Sequence, residues 1–120
     1  VESATKFIID WDFDGIDYDW EFVGVKGQPY NIVDEINDPK NFIELLKETR
    51  NEFNKKSPNK YLEITAATGT NPKVIENYLG TEPYLDYMLL MTYDYAGAWG
   101  NGGHHAALFK NPKQNNLSEG

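Results

Sequence analysis

The chain has 120 residues, with 11 Lys and Arg against 19 Asp and Glu, a formal net charge of -8 and no cysteine. That charge disfavours nucleic acid, anionic membranes and polyanionic substrates, since phosphates would be repelled and few counterions released, but it leaves neutral substrates open. The lack of cysteine excludes disulfides, zinc-thiolate sites and a cysteine nucleophile. No apolar run nears the roughly 20 residues of a membrane span, and no basic segment followed by an apolar one opens the chain as a signal peptide would. Gly and Pro are scattered without a linker-like cluster, so one domain is expected.

In chain order, residues 3–11 read as the end of an amphipathic helix, with Phe7, Ile8 and Trp11 at helical spacing. Residues 13–22 alternate strictly: Ile16, Tyr18, Trp20 and Phe22 on one side, Asp17, Asp19 and Glu21 on the other, which predicts a strand. Gly24, Gly27 and Pro29 break it into a loop reaching about Asn37. A helix follows, with Asp38 as N-cap, Pro39 in its first turn, and Phe42, Leu45, Leu46 and Phe53 along a core face. Residues 61–68 predict a second strand that ends in small residues. Asn71-Pro72 opens a short helix carrying Val74, Ile75, Tyr78 and Leu79 and stopped by Gly80. Residues 84–93 read as a third strand, apolar enough to be covered on both faces. Beyond Asp94 the chain becomes a Gly-rich loop and a polar tail, with one chance-level sequon at Asn116.

Strands alternating with helices predict a parallel α/β sheet, either open and doubly wound or an arc of a (β/α)8 barrel. A barrel needs about 250 residues, so on that reading the chain is a fragment of one. Residues two apart on a strand share a face at about 6.5–7 Å. Asp17, Asp19 and Glu21 would then form a carboxylate column at a strand's C-terminal end, where barrel enzymes place their chemistry. Stacked acids repel, so one should keep its proton near neutral pH, as an acid catalyst must. An exposed antiparallel strand with an acidic face explains the alternation equally well but fits the helix–strand order less well. A calcium loop is the other alternative: Asp10, Asp12, Asp14, Gly15 and Glu21 match the EF-hand spacing. Residues 22–29 cannot form the exiting helix that such a loop requires, so no metal and no cofactor are expected.

The run Asp14-Gly15-Ile16-Asp17-Tyr18-Asp19-Trp20-Glu21 resembles the D-G-x-D-x-D-W-E signature of family-18 glycoside hydrolases, the chitinase family. Met91-Thr92-Tyr93-Asp94 is similar to the M-[TS]-Y-D at the end of that barrel's sixth strand. Residues 21–27 and 103–108 resemble the E-F-P-G-G-K-G and G-H-Q-T-A-L stretches of bacterial members, with Val23, His105 and Ala106 as departures. Ala66 is another, standing where those members often carry Ser, and the resemblance implies that it alters how Asp17 is held. The resemblance implies that residues 1–120 are the central segment of a single (β/α)8 catalytic domain, from the end of helix three to the loop after strand six. It also implies that the rest of the barrel is needed for folding and activity.

The implied activity is retaining hydrolysis of β-1,4-linked N-acetylglucosamine polymers, with the substrate's acetamido oxygen as nucleophile. On that resemblance Glu21 is the acid, Asp19 orients the acetamido group, and Asp17 shares a proton with Asp19. Tyr93 would hold the acetamido oxygen, Asp94 would position the sugar and Met91 would floor the site. Asp14 and Gly15 are read as structural, Trp99 as a stacking platform, and His104 as a substrate-loop residue. Trp20, opposed in parity to the acids, is expected to pack on the helix side. The partner implied is chitin or a chitooligosaccharide, and the location is outside the cell. A chitinase-like lectin is disfavoured because such proteins typically lose the acid that Glu21 supplies. A relative acting on peptidoglycan or N-glycan cores is the remaining alternative.

Overall fold

The computed structural model describes residues 1–100 and 102–109, so the sequon at Asn116 and the polar tail lie outside the described residues. The elements run α1 (Glu2–Asp10), β1 (Gly15–Tyr18), α2 (Asp38–Lys56), β2 (Glu63–Thr68), α3 (Pro72–Glu76) and β3 (Tyr87–Leu90). The three strands form one sheet in the order β1-β2-β3, and both pairings are parallel. This is the topology that the alternation of strands and helices predicts.

The core forms on one face of the sheet because the strands alternate. Ile64, Ala66 and Thr68 of β2 are buried, while Glu63, Thr65 and Ala67 turn the other way. Against the buried side α2 packs Phe42, Leu46 and Phe53, joined by Val23, Leu62, Val74 and Tyr78. Phe42 is the hub: Tyr18, Trp20 and Tyr78 all meet it edge-on, with centroids at 6.2, 5.8 and 5.3 Å. Trp20 therefore packs on the helix side. At the N-terminal end of the strands Arg50 ties α2 to the sheet. It donates to the Leu62 carbonyl at 2.7 Å and to Asp86 at 2.8 Å, and Asp86 also accepts from Tyr61 at 2.5 Å and from the Ile64 N–H at 2.8 Å.

Several boundaries differ from the sequence expectation. β1 spans four residues rather than ten, because after Tyr18 the chain leaves β2 for a tight turn in which Phe22 and Val25 exchange backbone hydrogen bonds at 3.2 and 3.3 Å. β3 is likewise shorter than expected, and its four residues are exposed rather than covered on both faces: it is an edge strand, and among the described residues no element covers its outer side. The N-cap of α2 is Asn37 rather than Asp38; the Asp38 carboxylate instead accepts from the Asp34 N–H at 3.0 Å, which closes the turn that leads into the helix. In α1 the buried residues are Thr5 and Ile8. Phe7 and Trp11 lie on its exposed side, where Phe7 stacks on Phe13 at 5.7 Å.

Candidate active site

The parallel sheet carries Asp19 and Glu21 of the signature past its C-terminal edge, with Asp17 near the end of the ladder. Asp17 is the last acid inside the ladder, at the register position paired with Thr65. The Thr65 hydroxyl donates to the Asp17 carboxylate at 2.6 Å. Asp17 is thus held by Thr65, a residue that the sequence reading did not single out. Ala66 faces the opposite way and is fully buried in the core.

Asp19 and Glu21 lie beyond the regular strand, on the segment that enters the turn. The column expected along one strand is therefore bent at its top. Asp17 is drawn to β2, while Asp19 and Glu21 stay within hydrogen-bond reach of each other. The Glu21 carboxyl is pushed above the usual carboxylate range. The causes in order are partial desolvation, the charge of Asp19, its hydrogen bond to Asp19 and the charge of Asp94. Each of these disfavours the ionised form.

Glu21 opens onto two clefts. One, about 290 Å3, is lined by Glu21, Phe22, Met91, Tyr93 and Asp94 together with residues 69–71 and Val74. The other, about 360 Å3, runs along Asp19, Trp20, Glu21 and Phe22 to Asn31, Ile32 and Val33 of the following loop. Met91 is placed by its N–H, which donates to the Thr68 carbonyl at 2.8 Å and continues the β2–β3 pairing by one step. Asp94 sits in the left-handed region at φ 61°, where the chain turns out of β3.

The remaining candidates lie elsewhere. Asp14 is at the opposite end of β1, where Lys60 bridges it at 3.1 Å and Asp12 at 2.9 Å. Two carboxylates of the EF-hand-like spacing are thus occupied by an ammonium group. Gly15 is needed for close approach: a Cβ there would lie 2.1 Å from the Glu63 carbonyl oxygen. Trp99 is 72% exposed, folds over Gly97 and lines neither cleft. His104 also lines neither. Its neighbour His105 reaches the site instead: its ring stacks on Tyr93 at 5.8 Å, and its Nδ1 accepts from the Asp94 N–H at 3.3 Å. Among residues that sequence reasoning missed, Thr65 had a readable signal: Ile64, Ala66 and Thr68 share the core face, so Thr65, one step off, falls on the other face with the acids.

Parallel strands with carboxylates, a tyrosine and a methionine at their C-terminal ends match the catalytic end of a (β/α)8 barrel. The family model for "Glycosyl hydrolases family 18" matches residues 1–119, and the chain belongs to that family. It is 37% identical over 116 residues to chitinase A of Pseudoalteromonas piscicida, covering 91% of this chain and 14% of that protein. To probable chitinase 2 of Drosophila melanogaster it is 37% identical over 113 residues, or 90% of this chain and 21% of that one. Among solved structures it superposes on the chitinase ChiW of Paenibacillus sp. str. FPU-7 with a TM-score of 0.80 at 35% identity, covering 98% of this chain and 11% of that one. The chain thus spans between about a tenth and a fifth of these relatives, and it is a three-strand arc of the barrel.

Proposed function

We propose that the barrel carrying this chain cleaves β-1,4-linked N-acetylglucosamine polymers with retention of configuration, using the substrate's own acetamido group as nucleophile. The observation that carries the reading is the Glu21 carboxyl, whose pKa is raised above the ordinary carboxylate range by partial burial and by Asp19 and Asp94. It opens onto a cleft that Met91, Tyr93 and Asp94 also line. The relatives' names support the substrate class, and a Group IV chitinase of Ostrinia furnacalis, 29% identical, has been solved in complex with allosamidin.

In the first step the acetamido carbonyl oxygen attacks the anomeric carbon as the glycosidic C–O bond breaks. The Glu21 proton goes to the departing oxygen, leaving an oxazolinium ion and a Glu21 carboxylate. Asp19, beside Glu21, accepts from the acetamido N–H and offsets the positive charge of that ion. Asp17, anchored by Thr65, is the second carboxylate, which shares a proton with Asp19 before substrate arrives. Tyr93 donates to the acetamido oxygen, and Asp94 binds the sugar at the cleaved bond. In the second step Glu21 removes a proton from water as the water oxygen attacks the anomeric carbon and the ring opens. Met91 floors this site, and Trp99 and His104 belong to its outer substrate loop. An insoluble polymer cannot enter a cell intact, so the enzyme acts outside it.

The test is a substrate pair. The intact barrel should release reducing ends from chitopentaose and none from cellopentaose, which lacks the acetamido nucleophile. Equal rates on both would rule out substrate assistance.

A further inference from the structure

We infer that Asn77 and Tyr78, the two residues that leave α3, are positioning residues for Glu21, holding the backbone on both sides of it from beneath the cleft. The inference rests on Glu21 being the acid. The Asn77 side-chain amide donates to the Val23 carbonyl at 2.9 Å, and the Tyr78 hydroxyl donates to the Trp20 carbonyl at 3.3 Å. Those carbonyls belong to the residue before Glu21 and the second residue after it. Neither contact touches the Glu21 carboxyl, which stays free to face the cleft.

The surroundings make these two contacts stiff. Tyr78 is almost fully buried, its ring set against Phe42, and burial raises its pKa so that the hydroxyl remains a donor. Phe42 in turn meets Trp20 edge-on, so Tyr78 grips the Trp20 segment through packing and through its hydroxyl. Val23 is fully buried. Gly24 adopts φ +67°, and a Cβ there would lie 2.8 Å from the Asn77 amide nitrogen, so the turn is built to let Asn77 come close. The polar clamp thus comes from a different crossover than the strand that carries the acid.

A shift of about 1 Å in a catalytic group can cost on the order of 100-fold in rate. In the intact barrel, Asn77→Ala and Tyr78→Phe should each lower kcat about 10-fold or more, with KM changed less than about twofold. The alkaline limb of kcat/KM should also move to lower pH. The sign follows from the site: burial, Asp19 and Asp94 raise the Glu21 pKa, so a displaced Glu21 loses its proton at lower pH. Phe53→Leu, a packing change at the far end of α2, serves as the control and should reduce thermal stability while leaving the limb in place. Tyr78→Phe keeps the ring and decides the matter if Asn77→Ala fails to fold. Wild-type kcat and limb in Tyr78→Phe, or an equal limb shift in Phe53→Leu, would overturn the inference while leaving Glu21's role standing. An unmutated barrel that does not cut chitooligosaccharides would remove both.

Discussion

Glu21→Gln in the intact barrel is expected to lower turnover of chitooligosaccharides by about 10²- to 10⁴-fold or more, the usual worth of a positioned proton donor. Binding of the same oligosaccharides should persist. The amide keeps the carboxyl's size, so the cleft lined by Phe22, Met91, Tyr93 and Asp94 retains its shape. It also removes a group that burial and the Asp19 and Asp94 charges hold above its usual pKa, so substitution relieves repulsion among the acids. Folding should therefore be unharmed or slightly improved. Turnover within tenfold of the unmutated enzyme would show that another group delivers the proton.

Gly15→Val should act through the fold. A Cβ at Gly15 would sit 2.1 Å from the Glu63 carbonyl oxygen and 2.7 Å from the Glu63 carbonyl carbon and nitrogen. These are backbone atoms of the adjacent strand, so no side chain can swing aside. β1 and β2 would have to separate where their pairing begins, Gly15 opposite Glu63. Overpacking of this kind commonly costs about 1–3 kcal/mol and more where backbone must move. The expected result is a urea midpoint well below that of the unmutated barrel, with an unchanged slope if folding stays two-state. Because Asp17 meets Thr65 two steps along the same pairing, residual activity per folded molecule should fall too. An unchanged midpoint would mean that the strands are not in this register.

The sequence made legible what depends on parity and local composition. Alternation from Ile16 to Trp20 told which side chains face the helices, and Trp20 does meet Phe42 although it lies past the ladder. Alternation reports facing, however, not hydrogen bonding, which is why β1 is four residues rather than ten. The same parity, applied to β2, places Thr65 rather than Ala66 beside Asp17. What stayed hidden are contacts set by three-dimensional closure. Lys60 reaches back 48 residues to Asp12, and Asn77 and Tyr78 bind backbone carbonyls, which every residue has and no sequence pattern marks. The two adjacent histidines could not be ranked by type alone; the turn of the loop brings His105 to Tyr93 and Asp94.

The central claim is that substrate itself supplies the nucleophile while Glu21 supplies and then recovers one proton. Its most direct test is the anomeric form of the product at early times, read by proton NMR during hydrolysis of a chitooligosaccharide by the intact barrel. Two successive inversions at one carbon predict the β-anomer first, with α appearing only by mutarotation. The α-anomer as initial product would mean direct attack by water and would contradict the mechanism proposed for Asp19, Glu21 and Tyr93.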